Sequence, residues 1–326
     1  MWRQLSQRYF ASFLALLTCS FFVGCSSESK PPEDHTQGRP VSVEKAYAGN
    51  YPIKVVCTTG MVADLVRNIG GDKVQITQIM GEGVDPHLYK ASPGDVNLLS
   101  GADAIFYSGL HLEGKMADVF VRMARKKPTF AVTEHIQESQ ILDNPEGAFD
   151  PHLWFDVSIW REAAGVVRDA LKAFDPKHAD DYQARADAYQ AELATLHDYA
   201  KSQLATVPKD RRVLVTAHDA FRYFGRAYDV EVKGIQGIST ESEAGVKEVN
   251  ALVDFLVKGK IKAVFVESSV SDKNIRALLE GCKAKGHSVV IGGELFSDAM
   301  GKEGTPEGTY VGMVRHNVDT IVRALR

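Results

Sequence analysis

The chain has 326 residues, with 38 basic and 42 acidic side chains and a net charge of −4 at pH 7. That balance leaves no basic field for nucleic acid. Four cysteines without a C-x-x-C pair support neither a dense disulfide framework nor a zinc knuckle.

At the N-terminus, Met1 to Arg8 carries Arg3 and Arg8 and no acid, and Tyr9 to Val23 is almost wholly apolar. This is the layout of a signal peptide over residues 1–24, too short to cross a bilayer comfortably as a mature helix. The run Phe22-Val23-Gly24-Cys25-Ser26 resembles a bacterial lipobox, although Phe22 departs from the usual Leu. Cys25 would be the lipid-modified first residue of the mature chain; an ordinary signal peptide with an incidental Cys is the alternative. Residues 25–50 are rich in Ser, Pro, Glu, Lys and Gly and have too little apolar surface to offset their ordering entropy, so a flexible linker is expected there. Several acyl chains on such a lipoprotein suffice for stable attachment. The folded part is about 275 residues, a length that suggests two domains.

From Tyr51 strands and helices alternate. Ile53 to Thr58 reads as a strand, Met61 to Ile69 as a helix with apolar residues at three- and four-residue steps, and Val74 to Met80 as a strand. Ser92-Pro93 opens a helix, since Ser is a good N-cap and Pro suits the first helical position. Ala104 to Tyr107 (strand), Met116 to Ala124 (helix) and Thr129 to Val132 (strand) complete a mostly parallel α/β lobe over residues 51–176. Val157 to Phe174 is a helix that breaks at Asp175-Pro176. His178 to Leu204 then runs without Gly or Pro, with an apolar stripe at Tyr182, Ala186, Tyr189, Leu193, Leu196 and Ala200. This predicts a connecting helix of about 27 residues and roughly 40 Å within residues 177–207. A second series begins at Arg212: strands over 213–216, 230–235, 263–266 and 289–291, and helices over 220–228, 246–257, 272–285 and 312–325. The expected fold class is α/β, with two lobes that are each a mostly parallel four-stranded sheet flanked by helices. One long rigid helix joins them, and the second lobe covers residues 208–326. A single large α/β domain is the alternative. Cys57 lies in a strand and Cys282 in a helix; two buried free thiols are the default, and a disulfide between them the alternative.

The chain places Asp-Pro-His-Leu twice, at Asp85–Leu88 and Asp150–Leu153, about 65 residues apart. A repeated tetrapeptide alone is a weak signal. However, His87 follows a strand of the first lobe, His152 closes that lobe's β region, His218 follows the strand V-L-V-T, and Asp298 follows the last short strand. Open α/β sheets bind ligands at the carboxyl ends of their strands. Three imidazoles and one carboxylate, two groups from each lobe, make an N/O set suited to a divalent first-row metal if they converge. The alternative is four incidental loop residues. His35 falls in the linker. His178 and His197 lie on the long polar helix and are expected in solvent. His135, His287 and His316 have no partner pattern.

Several strings then resemble the metal-specific solute-binding lipoproteins of zinc and manganese ABC importers. They are G-E-G-V-D-P-H-L-Y (81–89), A-D-A-I-F-Y-S-G-L-H-L-E-G-K-M (102–116), D-P-H-L-W-F-D (150–156), T-A-H-D-A-F-R-Y-F-G (216–225), G-I-S-T-E-S-E-A-G (237–245) and E-L-F-S-D-A-M-G (294–301). The resemblance covers Lys54 to Leu325. It implies metal ligation by His87, His152, His218 and Asp298, and no enzymatic activity. It also implies a lipid-anchored carrier, expected as a monomer in the periplasm or at the cell surface, that delivers one Mn²⁺, Zn²⁺ or Fe²⁺ ion to a membrane permease. His111 is not a ligand position in that family, and the loop bearing Glu241 and Glu243 reads as lobe-to-lobe structure. Pro86 and Pro151 stiffen each loop just before its histidine. Asp85, Asp150 and Asp156 either orient an imidazole or cap turns.

The Irving–Williams order puts Zn²⁺ above Mn²⁺ at such a site. Some zinc-dedicated members of the family it resembles carry a long His- and acid-rich insertion in the first lobe; here the stretch 134–149 holds a single His, so the resemblance implies manganese or a mixed manganese, zinc and iron role. Two other functions stand beside the carrier. One is a zinc-dependent hydrolase, against which H-E-x-x-H is absent; the other is a surface adhesin, for which no adhesive repeat is present.

Overall fold

The first strand, β1 (Ile53–Cys57), is buried along nearly its whole length, as a strand covered on both faces of a parallel sheet must be. The structure, a computed structural model, describes Val43 and residues 45–144 and 149–326. The signal segment, the lipidation candidate Cys25 and most of the linker lie outside the described residues.

After β1 come α1 (Gly60–Gly70), β2 (Val74–Gln78), α2 (Pro93–Gly101), β3 (Ala104–Tyr107), α3 (Ala117–Ala124) and β4 (Thr129–Ala131). The four strands form one parallel sheet in the order β2-β1-β3-β4. Local chemistry sets the helix starts. Thr59 accepts the N–H of Val62 at the head of α1. Ser92 accepts the N–H of Asp95 while the Asp95 carboxylate takes the N–H of Ser92, a capping box with Pro93 just inside it.

α4 (Val157–Phe174) and α5 (Ala179–Ala205) follow. The stripe expected on α5 is buried, from Tyr182 through Ala200 and on to Leu204, against α4 and α1. The second lobe contains β5 (Val213–His218), α6 (Arg222–Tyr228), β6 (Glu231–Gln236), α7 (Val246–Gly259), β7 (Ala263–Glu267), α8 (Lys273–Ala284), β8 (Val290–Leu295) and α9 (Tyr310–Leu325). Its four parallel strands are laid out as two ladders, β5-β6 and β7-β8, with β5 beside β7. At the carboxyl end of that seam the His218 N–H goes to a Glu267 carboxylate oxygen at 2.8 Å, where a ladder would offer a backbone carbonyl.

α9 returns to pack on α5 and α1. One apolar cluster therefore runs from Ile53 through Trp160 and Phe265 to Leu325 and belongs to both lobes. A second fills the space between β5–β7 and α7–α8, and a third lies between the first sheet and α2–α3. Cys57 and Cys282 are free and buried in different clusters.

Two local expectations change. The end of the supposed linker is fastened: Tyr47 donates its N–H to the Phe174 carbonyl at 2.7 Å, and Tyr51 donates its hydroxyl to Asp175 at 2.7 Å. Asp175 also accepts from Tyr182 at 2.7 Å and faces His178 Nδ1 at 2.8 Å, so His178 is held at a helix junction rather than left in solvent. In addition, the helix expected over 272–285 begins at Lys273, and the Asp272 carboxylate before it accepts from Arg276 at 2.6 Å.

Candidate metal centre

The two Asp-Pro-His turns start alike and end differently. In the loop after β2, Asp85 Oδ1 accepts the His87 backbone N–H at 2.9 Å. In the loop before α4, Asp150 Oδ1 accepts the His152 N–H at 3.1 Å and also faces His152 Nδ1 at 2.8 Å. Asp150 thus orients an imidazole, whereas Asp85 shapes a turn. Asp156 caps α4 through the Ser158 N–H at 3.0 Å. His218 is the last residue of β5, which runs two residues beyond the expected 213–216 and so includes it, and its Nδ1 faces Glu267 Oε2 at 2.5 Å. In both oriented rings Nδ1–H donates to a carboxylate, so that once Nε2 gives up its proton its lone pair is aimed at a cation.

Those Nε2 atoms converge. His87 Nε2 and His152 Nε2 are 3.3 Å apart. Asp298 Oδ1 is 3.3 Å from His152 Nε2, and Asp298 Oδ2 is 3.2 Å from His218 Nε2 and 3.7 Å from His87 Nε2. All four ligand atoms lie within 4.8 Å of one another. Donors about 2.0–2.2 Å from one tetrahedral ion are separated by about 3.3–3.6 Å, so the spacing is that of a coordination shell. The residues are buried, from 5% exposure at His87 to none at His152 and His218. His218 Nε2 and both Asp298 oxygens have no hydrogen-bond partner despite full burial. Orphaned polar atoms are costly, and three of them aimed at one point fit a cation.

The charges agree. Burial alone would push His152 and His218 down, but Asp150 and Asp298 around one, and Glu267 and Asp298 around the other, hold them up: His152 rises to about 9 and His218 well above its usual value. Burial opposes ionisation of Asp298 too, yet the two cationic rings keep its carboxyl well below the ordinary range. His87, which burial dominates, falls to about 3. The surrounding carboxylates thus favour the protonated form of His152 and His218, and the rings favour the ionised form of Asp298. A metal must displace those protons. Calorimetric titration at pH 7 in buffers of different ionisation enthalpy should show protons released as the ion binds. Affinity should climb as pH rises toward about 9. The ion-free fold should show the opposite trend, because the raised His152 value lends stability that is complete below about pH 6.5 and lost through about 9. Binding with no proton release would contradict this charge assignment.

Of the other histidines, His111 is exposed and outside the tetrad, with φ +68°. His287 and His316 face backbone carbonyls of Ile261 and Glu294 at 2.6 and 3.0 Å, and His197 lies 3.4 Å from the Tyr228 hydroxyl. Glu267 and Trp154 have roles that sequence reasoning missed. Glu267 could have been found as the charged residue ending the apolar strand A-V-F-V. Trp154 sits edge-on to His152, with ring centroids 5.2 Å apart, and donates Nε1–H to the Ser297 carbonyl at 3.1 Å, one residue before Asp298.

Residues 55–324 match the family described as zinc-uptake complex component A, periplasmic. The chain belongs to that family. It is 50% identical over 275 residues to the manganese-binding lipoprotein MntA of Bacillus subtilis, covering 84% of this chain and 90% of the relative. It is 51% identical over 271 residues to the zinc-binding protein TroA of Treponema pallidum, covering 83% and 88%. The solved structure of that periplasmic zinc-binding TroA superposes with a TM-score of 0.82 at 50% identity, over 84% of this chain and 99% of the other. A more distant relative, at 34% identity over 280 residues, is the metal ABC transporter substrate-binding lipoprotein SloC of Streptococcus mutans. Family membership makes this a metal-binding component of an importer and not an enzyme.

Proposed function

We propose that this protein captures one divalent transition-metal ion between its lobes, with His87, His152, His218 and Asp298 as ligands, and delivers it to the membrane permease of an ABC importer. The observation that carries this is the convergence of four buried ligand atoms within 4.8 Å, with His218 Nε2 and both oxygens of Asp298 making no hydrogen bond. In this reading the lobes are residues 51–176 and 208–326, with 177–207 between them. The chain acts as a monomer outside the cytoplasm, in the periplasm or at the cell surface, after removal of residues 1–24 and lipidation of Cys25. Mass spectrometry of the mature protein tests the last point: an acylated Cys25 at the N-terminus is expected, and an unmodified one would refute it.

The cargo is Mn²⁺ or Zn²⁺, with Fe²⁺ a further candidate. Relatives of almost equal identity carry the names of different metals, so likeness alone does not choose. Three imidazole nitrogens and one carboxylate oxygen suit four-coordinate Zn²⁺. Because both Asp298 oxygens are unpartnered, a chelating carboxylate would give five donors and suit the larger, oxygen-preferring Mn²⁺. Neither a hydrolase nor an adhesin is favoured by a specific observation. The test is melting temperature of chelator-stripped protein with Mn²⁺, Zn²⁺, Fe²⁺, Mg²⁺ and Ca²⁺. A ligand at about a hundred times its Kd adds about 2.7 kcal/mol. Transition metals should raise the melting point, Zn²⁺ most at equal concentration. No shift with any of them would overturn the reading.

A further inference from the structure

Asp85 does more than shape its turn. One oxygen holds the backbone N–H of His87, and the other, Oδ2, accepts the hydroxyl of Thr240 at 2.6 Å. Thr240 lies in the loop between β6 and α7, on the opposite lobe. A single carboxylate therefore joins the His87 loop of one lobe to the other lobe, through a residue outside the four-residue cluster. Next to it, Glu241 pairs with Lys115 at 3.3 Å, again across the lobes.

The residues on either side of Thr240, Ser239 and Glu241, border a cavity. This cavity, of about 190 Å³, has His87 in its wall, together with Leu110, His111 and Pro151 from one lobe and Ile238 and Glu241 from the other. At about 30 Å³ per water it has room for roughly six waters, enough for a partly hydrated cation. His87 is also the most exposed of the four ligands, at 5%, against 1% for Asp298 and none for the other two. The solvent side of the centre is thus the His87 side.

We propose that metal enters and leaves through this vestibule, and that Thr240, acting through Asp85, is the positioning residue that sets the rate of exchange. The proposal rests on the carrier reading above. The Lys115–Glu241 pair is partly exposed and contributes little, as surface ion pairs do. The partly buried hydrogen bond from Thr240 to the Asp85 carboxylate is the stronger tie. Because Thr240 and Asp85 are not ligands, their bond holds the lobes together with or without the ion. Loosening it raises the open fraction in both states, so entry and exit accelerate together and affinity stays the same.

The experiment compares wild type, Thr240→Val and Thr240→Ser. Stopped-flow mixing with Zn²⁺ gives the association rate, a chelator chase gives the dissociation rate, and calorimetry gives Kd. Thr240→Val keeps the shape and removes the hydroxyl; both rates should rise about tenfold, the effect of losing one hydrogen bond to a charged group, with Kd within about twofold of wild type. Thr240→Ser restores the hydroxyl and should keep wild-type rates. Unchanged rates in Thr240→Val would overturn the proposal. So would a weaker Kd at an unchanged association rate, which would make Thr240 a support for the His87 ligand and not a control on exchange. If wild type itself binds no Zn²⁺, it is the carrier reading that fails.

Discussion

Asp298→Asn is expected to lower affinity for Zn²⁺ and Mn²⁺ by at least about 100-fold, the upper end of what loss of a supporting partner costs at a metal site. Asp298 faces all three imidazoles, at 3.2, 3.3 and 3.7 Å. It is the one carboxylate among the four proposed ligands, and an amide of the same shape removes that charge and weakens its donors. The same change acts on the ion-free protein. Asp298 is one of the groups that hold the His152 and His218 protons in place, so without it burial has less opposition and both rings lose their protons at lower pH. The pH dependence of binding should therefore shift downward in the variant as its affinity falls. Calorimetric titration of wild type and variant at several pH values checks both parts. A loss of tenfold or less would mean that Asp298 is not a ligand.

Trp154→Ala should destabilise the ion-free protein by about 3–5 kcal/mol in urea unfolding, the usual cost of deleting a buried aromatic side chain. That is a large fraction of the about 5–15 kcal/mol available to a folded domain. Trp154 is fully buried among Phe155 and Trp160. Its backbone carbonyl accepts the Tyr310 hydroxyl at 2.6 Å, and its ring nitrogen donates to Ser297. It therefore ties the His152 loop to both the Asp298 loop and α9. Trp154→Phe keeps most of the bulk and loses the Ser297 bond, so it separates the two roles. Its stability should fall by about 1 kcal/mol, the net worth of one hydrogen bond. Its metal affinity should drop about tenfold, the lower bound for losing a supporting partner. Full metal affinity in Trp154→Phe would show that the indole packs the core without positioning the centre.

The local grammar of the chain was readable wherever packing and pattern agree. The helix Val157–Phe174 was legible to the residue, because its apolar face is buried and Asp175-Pro176 stops it. The strand Ala104–Tyr107 was equally plain. β8 was read too short: expected over 289–291, it runs to Leu295, because Gly292, Gly293 and Glu294 interrupt an apolar pattern and Val290 and Ile291 face outward. α6 starts at Arg222 and not at Ala220, and β5 extends through His218. That extension sets His218 rigidly at a strand end.

The sequence alone determined the donor types and their order: two histidines stiffened by a preceding Pro, a third at the end of an apolar strand, and a late Asp. These are local features with local causes, and the resemblance carried by the same strings gave them a common purpose. Only the tertiary structure decided that the four meet, that Glu267 and Asp150 set the tautomers while Asp85 reaches instead to Thr240, and that Trp154 buttresses Asp298. The reason is separation along the chain. Partners 49, 143 and 155 residues apart share no period, cap or turn, and their pairing exists only once the packed helices α1, α4, α5 and α9 bring the ends of the strands together.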